Sequence, residues 1–151
     1  MSHPKPHAAD VLARIQDSFN RQGMMRHLGA RVLHAEHGLV KVALPYSDKV
    51  SQQQGGFHGG AMGALADIAC GYAAMTVAEP GLEVTTVEYK INFLAAFQGG
   101  ELQAVGRVVR AGKRLIITQG EVTHHADDGK VSDCAIMQAT VAPVPNKVLT
   151  T

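Results

Sequence analysis

One carboxylate stands alone in a long apolar stretch of the sequence. Residues 55–74, GGFHGGAMGALADIACGYAA, are mostly small and apolar, and Asp67 is their single charged side chain. Burying a carboxylate without a partner costs free energy, so such a group needs a hydrogen-bond donor or a raised pKa, and both are features of reactive sites. Asp67 is therefore a candidate catalytic residue, and the alternative is that it fixes the packing of a neighbouring loop.

The residues around Asp67 favour a helix that begins at the HGG motif. Gly59 and Gly60 open this helix, where free backbone N–H groups and the positive end of the helix dipole can hold an oxyanion. His58 precedes it and either caps the local backbone, which is the favoured interpretation, or serves as a general base. The face that carries Asp67 is made of small residues: Gly60, Gly63, Ala64, Cys70, Gly71 and Ala74. The opposite face carries larger ones: Met62, Leu65, Ala69 and Tyr72.

The spacing of apolar residues and turn residues in the rest of the sequence predicts the helices and strands that position these residues. An amphipathic helix over 8–28 is expected to end or break at Gly23, and Pro45 is expected to end the second of two early strands. After the central helix, turn signals separate four strands that we expect to form an antiparallel meander. The expected strands span 30–35, 39–46, 82–97, 101–110, 114–126 and 130–144, and the central helix spans 58–78. This order indicates an α+β fold with one sheet around one apolar helix.

Composition excludes several classes of function. The chain has 151 residues, 46% of them hydrophobic and 18% charged, and a net charge of +1, so neither disorder nor a nucleic-acid partner is expected. Cys70 and Cys134 are too few for a disulfide framework, and the N-terminus lacks a signal pattern, so we expect a cytoplasmic protein. The run 59–78 contains Asp67 and lacks basic flanks, so no membrane partner is expected.

The THHADD segment suggests a metal cluster at first sight. It contains His124, His125, Asp127 and Asp128. Adjacent residues on a strand point to opposite faces, so these side chains cannot easily converge on one ion. We therefore expect a polar hairpin end and no metal site.

The order of motifs resembles that of the hotdog-fold acyl-CoA thioesterases, and the phenylacetate-pathway type is the most similar subgroup. The resemblance rests on HGG, on the eight residues from Gly59 to Asp67 within LAD, and on VEYKINFL before the last strands, and it runs from the first helix to Val141. It implies a hotdog fold, in which an antiparallel sheet wraps around a long helix. It also implies that Asp67 is the nucleophile or general base and that the Gly59 N–H contributes to the oxyanion hole.

The resemblance assigns two further polar residues to the site. Gln52, with Gln53 as the alternative, matches the side chain that orients the thioester or water. Thr86, with Thr85 as the alternative, matches a hydroxyl that the family often carries. The implied domain limits are 1–28 for the N-terminal helix and lead-in, 29–143 for the hotdog domain and 144–151 for the tail, in one domain overall.

Helix geometry predicts that two subunits share each site. Eight residues separate Gly59 from Asp67 by about 12 Å along the helix axis, which is too far for both to act on one carbonyl. We therefore expect a C2 homodimer with antiparallel central helices, in which Gly59 of one chain faces Asp67 of the other. The resemblance implies further assembly into a homotetramer.

The expected substrate is an acyl or aryl thioester of coenzyme A, and no other cofactor is expected. Lys113 and Arg114 follow Gly112 in a tight turn and are candidates to bind the phosphates of coenzyme A, with Lys90 and Arg110 as weaker candidates. An ordinary solvated hairpin is the alternative for these cations. The alternatives for the whole protein are an enoyl-thioester hydratase or dehydratase and a non-catalytic acyl-CoA binding module.

Overall fold

The computed structural model describes residues 8–147, so the outer parts of the expected lead-in and tail, residues 1–7 and 148–151, lie outside the described residues. It confirms the α+β architecture, with a long central helix against one antiparallel sheet. The elements are α1 (Ala8–Asn20), α2 (Gly23–Leu28), β1 (Arg31–Glu36), β2 (Leu39–Pro45), a short 3-10 helix (Asp48–Val50), α3 (Gly59–Val77), β3 (Leu82–Phe93), β4 (Glu101–Ala111), β5 (Ile116–His125) and β6 (Val131–Pro145).

The sheet has six strands in the order β1-β2-β4-β5-β6-β3, which corrects one expectation. The meander holds for β4, β5 and β6, but it is wrong for β3, which pairs with β6 at one edge of the sheet. Residues 94–100 carry the chain from this edge to β4. The QGG motif therefore ends a crossover and forms no hairpin, because turn residues indicate where a strand stops and not which strand it pairs with.

The central helix α3 packs on the inner face of the sheet through an unusually close approach. A Cβ atom on Gly106 of β4 would overlap the backbone of Ala69, and one on Gly120 of β5 would lie 2.9 Å from Cys70 Sγ. Gly106 and Gly120 of the sheet therefore allow the helix to approach closely at Ala69 and Cys70. The helix is long and apolar enough to cross a membrane, but 67% of its apolar 18-residue stretch is buried against the rest of the chain, as expected of a core helix.

The N-terminal segment covers one flank of the central helix. The predicted helix over 8–28 is broken as expected, and its second part, α2, begins at Gly23. The apolar stripe Val11, Ile15 and Phe19 of α1 is buried. The ring of Phe19 lies 6.0 Å from that of Tyr72 on α3, so α1 is fixed against the helix that carries Asp67.

Candidate functional site

Asp67 lies in the middle of α3, half-buried, and has one hydrogen-bond partner on the neighbouring strand. Thr86 Oγ1 of β3 donates to Asp67 Oδ1 at 2.7 Å. Among residues 8–147, Asp67 Oδ2 accepts no hydrogen bond from another side chain or backbone group. The carboxylate is thus held through one oxygen, and its second oxygen can approach a substrate.

A β-bulge in β3 lies directly beside this pair. Thr86 pairs with Val141 and Glu88 with Thr140, so Val87 is the extra residue between them. Bulges re-aim side chains and are frequent next to active sites. Thr86 is the threonine that reaches Asp67, whereas its neighbour Thr85 is exposed, so the structure places the first of the two alternatives at the carboxylate.

The N-terminus of α3 leaves one backbone donor free. The Gly60 N–H donates to His58 Nδ1 at 2.8 Å, so His58 caps the helix. The Ala61 and Met62 N–H groups donate to the His58 carbonyl at 3.0 and 3.1 Å. Within the described chain the Gly59 N–H makes no hydrogen bond, so it is the amide of this first turn that can donate to a ligand.

Gln52 lies in the loop that leads into α3. Its N–H donates to the Gly56 carbonyl at 2.8 Å, and its carbonyl accepts from the Gly55 N–H at 2.9 Å, which closes a tight turn. The side-chain oxygen accepts a hydrogen bond from the Gln54 N–H. Within one chain, Gln52 therefore lies near the N-terminal end of α3, where Gly59 also lies. Gln53 is exposed.

Two aromatic residues of β3 lie over the first half of α3, and the sequence reasoning missed both. A Cβ atom on Gly59 would lie 3.2 Å from Phe93 Cζ, and one on Gly63 would lie 3.7 Å from Tyr89 Oη. Phe93 is 52% exposed and Tyr89 47% exposed. Their spacing of four residues on a strand places them on one face, a signal that the sequence did contain.

Burial makes the two cysteines poor nucleophiles. It raises the pKa of both the Cys70 and the Cys134 thiols to about 11. Since the thiolate is the reactive form, both groups remain protonated and unreactive near neutral pH. Asp67 is consequently the better candidate for a nucleophile near this part of α3.

Comparison with known proteins assigns the family. The family model described as the thioesterase superfamily matches residues 54–131, which include Asp67, Gly59 and Thr86. The chain belongs to the thioesterase superfamily. The resemblance stated from the sequence motifs is thereby confirmed, and the chain is a thioester hydrolase with a hotdog fold.

Individual relatives agree with this assignment. The crystal structure of a thioesterase family protein from Silicibacter pomeroyi is 34% identical, with a TM-score of 0.86 over 90% of this chain and 99% of that one. A protein of Listeria monocytogenes named 1,4-dihydroxy-2-naphthoyl-CoA hydrolase is 29% identical over 70% of this chain and 85% of its own length. The E. coli PaaI protein from the phenylacetic acid degradation operon, at 20% identity and a TM-score of 0.79 over 91% of this chain and 95% of that one, shows the same fold.

The candidate phosphate-binding cations of this thioesterase lie away from Asp67. Lys113 and Arg114 are exposed in the turn between β4 and β5. Lys113 borders a cavity of about 410 Å³ that Ala78 and Glu79, just beyond the C-terminus of α3, also line. Lys90 lies on the outer face of the sheet, where its Nζ contacts Asn92 Oδ1 at 2.5 Å. Within one chain, the sheet therefore separates Lys90 from Asp67.

The THHADD segment of the thioesterase is a hairpin end, as predicted. His124 is buried, with Nε2 2.9 Å from the Gly99 carbonyl, whereas His125 Nε2 lies 3.0 Å from Thr123 Oγ1. The Lys130 N–H donates to Asp128 Oδ1 in the turn. No group of three potential metal ligands comes together among residues 8–147.

A cavity of about 130 Å³ opens next to Asp67, and most of its lining was missed by the sequence reasoning. It lies between α1, α3 and the first residues of β3. Ser18 of α1 and Gln22, which directly precedes α2, contribute polar groups to it, and Tyr72 and Gly71 line it from α3. Contacts between α1 and α3 are tertiary, so no motif in the sequence indicates them.

Proposed function

We propose that this chain hydrolyses acyl-CoA thioesters to a free acid and coenzyme A at a site shared by two subunits. The observation that carries the proposal is the half-buried Asp67 carboxylate, held by Thr86 in a chain of the thioesterase superfamily. A relative named as a hydrolase of an aryl-CoA supports a coenzyme A thioester as the substrate. Hydrolysis at this site uses protein groups and water, so the proposal includes no cofactor.

Asp67 supplies the chemistry in one of two ways. In the first, its free oxygen attacks the thioester carbonyl, the C–S bond breaks, and coenzyme A leaves as the thiolate. Water then hydrolyses the resulting mixed anhydride and regenerates the carboxylate. In the second, Asp67 takes a proton from a water molecule that attacks the carbonyl directly, the C–S bond breaks, and coenzyme A leaves as the thiolate, which takes up the proton. Single turnover in ¹⁸O-labelled water followed by mass analysis of the enzyme identifies the first route where water attacks the Asp67 carbonyl of the anhydride, because only this attack leaves ¹⁸O in Asp67 and carries an oxygen of Asp67 into the product.

The Gly59 N–H stabilises the oxygen of the thioester carbonyl as it becomes negative. This donor is free in the first turn of α3, where the helix dipole adds positive potential. Gln52 lies at the same end of the helix and orients the thioester or the attacking water. His58 takes no part in proton transfer in this proposal, because its Nδ1 is committed to the helix cap.

Two subunits supply the two halves of the site. Within a chain, Gly59 and Asp67 are about 12 Å apart along the continuous helix α3. The strand β3, which supplies Thr86, is an edge strand of twelve residues, and Tyr89 and Phe93 beside α3 are half exposed. A long exposed edge with apolar side chains favours pairing with another strand. An antiparallel homodimer through β3 brings Gly59 of one chain towards Asp67 of its partner.

Lys113 and Arg114 bind the phosphates of coenzyme A in this proposal. Both are exposed cations in one turn, which suits a flexible, charged ligand. Reversing both charges should raise KM for acyl-CoA and leave kcat nearly unchanged. Equal KM for the variant and the wild type would favour an ordinary solvated hairpin.

The direct test is release of free thiol from a panel of short, medium, long and aryl acyl-CoAs. We expect the wild type to hydrolyse at least one of them and Asp67→Asn to lower kcat about 100-fold or more, because it removes the attacking or proton-accepting oxygen. Asp133→Asn, at an exposed carboxylate on β6, is the matched control and should keep full activity.

Two outcomes would contradict the proposal. Full activity of a folded Asp67→Asn variant would leave the carboxylate with a structural role. Binding of an acyl-CoA without any hydrolysis, equal in wild type and variant, would favour the non-catalytic binding module. Hydration of an enoyl-CoA, measured separately as loss of the double bond without release of thiol, would identify the hydratase alternative.

A further inference from the structure

His124 of β5 is a buried polar side chain that the proposed chemistry leaves without a role. Its ring stacks on that of Phe97, with the centroids 4.5 Å apart, and lies at 69° to the Phe57 ring, 6.3 Å away. Its Nε2 is 2.9 Å from the Gly99 carbonyl oxygen, which can only accept, so Nε2 carries a proton and donates it. One side chain therefore contacts both the crossover 94–100 and the loop before α3.

The strand β5 gives His124 a fixed base, whereas the crossover has none. His124 pairs with Leu102 of β4 on one side and with Ser132 of β6 on the other, and strands in the middle of a sheet are among the last parts of a fold to open. Residues 94–98 form no helix or strand. Ordering such a segment costs conformational entropy, and the contacts with His124 offset part of this cost.

The crossover in turn holds the residues that lead into α3. The Phe57 N–H donates to the Phe97 carbonyl at 2.8 Å. A Cβ atom on Gly56 would lie 3.1 Å from the same carbonyl oxygen, so the two segments are in close contact. Phe57 is followed directly by His58, which caps α3, and by Gly59, whose N–H is the proposed oxyanion donor. The place of Phe97 therefore determines where the first turn of α3 begins.

A second contact joins the crossover to the same turn. Phe93 is the last residue of β3 and leads directly into residues 94–100. A Cβ atom on Gly59 would lie 3.2 Å from Phe93 Cζ, so this ring lies against the glycine. The start of α3 thus has contacts with Phe93 at the beginning of the crossover and with Phe97 inside it.

We propose that His124 is a positioning residue of the active site, which fixes the first turn of α3 through the crossover and so sets the direction of the Gly59 N–H. It does not hold the other half of the site, because Thr86 of β3 binds the Asp67 carboxylate eight residues further along α3. The inference rests on the proposed function, since it assigns His124 to the Gly59 half of the shared site.

A double-substitution experiment with Gly59 tests this role. His124→Ala removes both the ring and the donor and should lower kcat about tenfold or more, because a small misplacement of a catalytic group is costly. In a Gly59→Pro chain, which has no N–H to place, the same substitution should lower kcat less than about threefold. A general loss of folded protein would instead lower both rates by the same factor. The measurement is thiol release from the best acyl-CoA, with more enzyme for the slower chains.

Two conservative variants separate the ring from the donor. His124→Phe keeps a ring to stack on Phe97 and removes the donor to Gly99, whereas His124→Gln keeps a side-chain N–H and removes the ring. Each should retain more activity than His124→Ala, with the same dependence on Gly59, and they carry the test if the alanine variant does not fold. His125→Ala, on the other face of β5, is the matched control and should keep the wild-type kcat.

Mixed dimers assign His124 to one half of the shared site. Refolded with Asp67→Asn chains, His124→Ala chains should regain about a quarter of the wild-type activity, because one site of each mixed dimer then combines an intact Asp67 with an intact Gly59 half. Refolded with Gly59→Pro chains, they should regain nothing beyond the sum of the two variants, because every Gly59 half is then damaged.

The outcomes separate the positioning role from the proposed function. An unchanged kcat in the three His124 variants, equal losses with and without Gly59→Pro, or recovery with Gly59→Pro chains would show that His124 does not position the Gly59 N–H, while the thioesterase proposal stands. If the wild type hydrolyses no acyl-CoA of the panel, the proposed function itself is wrong, and the positioning role is rejected with it.

Discussion

Asp67 combines two properties that a catalytic carboxylate needs. It lies on a helix packed into the core, which fixes its position, and one of its oxygens is bound by Thr86 while the other is free. Such a single hydrogen bond restricts rotation of the carboxylate without occupying the group that reacts. The sequence indicated Asp67 by its isolation in an apolar run, but its partner Thr86 came only from the family resemblance.

The Thr86 hydroxyl should matter mainly for turnover. Thr86→Val keeps the β-branched shape and removes the donor, so we expect kcat to fall about tenfold or more with little change in KM. Thr86→Ser should retain most of the activity. Steady-state kinetics with the best acyl-CoA checks this, and Thr85→Val on the exposed neighbour is the matched control. Equal kinetics for Thr86→Val and Thr85→Val would contradict the assigned role.

The role of the Gly59 N–H can be isolated with two substitutions at one position. Both Gly59→Ala and Gly59→Pro add a Cβ atom against Phe93, but only proline removes the N–H. Gly59 is the first residue of α3, where proline is tolerated, and the extended backbone of His58, with φ −69° and ψ 134°, suits a residue before proline.

We therefore expect Gly59→Pro to have a kcat about 100-fold below that of Gly59→Ala, the effect of losing one oxyanion donor. Kinetics of both variants, with circular dichroism to show equal helix content, is the measurement. Equal kcat values for the two variants would show that the Gly59 N–H does not contact the developing negative charge.

Much of the site at residue scale follows from local sequence. The helix start, the His58 cap and the free Gly59 N–H all depend on the HGG motif and on helix geometry. Tyr72, Ser18 and Gln22 could not be predicted in the same way, because they meet through the packing of the N-terminal segment on α3. Hydrogen bonds between residues about 50 positions apart leave no periodic signal in one sequence.

Among the elements, the sheet was predicted in its strands but not in its order. The alternation of apolar and polar residues, together with turn residues, predicted the first and last residue of every strand to within a few positions, because these signals are local. The position of β3 beside β6 depends on pairing along the whole of both strands, from Leu82 with Pro145 to Phe93 with Ala135. This placement has a functional consequence, since it makes β3 an edge strand next to Asp67.

One ion pair joins strands that are not adjacent and should make stability depend on pH. Arg31 of β1 reaches across β2 to Glu101 of β4, with an N–O distance of 2.5 Å. Burial of Glu101 favours its neutral form, but hydrogen bonds from Gln103 and Arg31 outweigh this and lower its pKa from 4.5. A lowered folded-state pKa means that the stabilisation is present above 4.5 and is lost as the pH falls through the folded value.

Accordingly, the free energy of unfolding should fall more steeply in acid for the wild type than for Glu101→Gln. Between about pH 6 and about pH 3, the free energy of unfolding of the wild type should fall by up to about 1 kcal/mol more than that of Glu101→Gln. The difference is small because Arg31 is half exposed. Urea unfolding over this pH range measures it, with Glu121→Gln, an exposed carboxylate on β5, as the control. Identical pH profiles for the wild type and Glu101→Gln would show that the pair adds nothing.

At the scale of the whole molecule, the proposed site needs a second copy of the chain. One chain contains an Asp67 held by Thr86 and a free Gly59 N–H, but a continuous helix keeps them about 12 Å apart. Sequence and helix geometry suffice to predict that the site must be shared. They do not identify the surface that pairs, and the exposed edge of β3 with Tyr89 and Phe93 now provides one.

The most direct test of the shared site is activity in mixed dimers. Chains with Asp67→Asn and chains with Gly59→Pro, each nearly inactive alone, are unfolded, mixed in equal amounts and refolded, and thiol release from the best acyl-CoA is measured. Random pairing should restore about a quarter of the wild-type activity, because half of the dimers are mixed and each of these has one intact site. If the mixture contains mixed dimers but shows no activity beyond the sum of the two variants, each site is built within one chain and the shared site is ruled out.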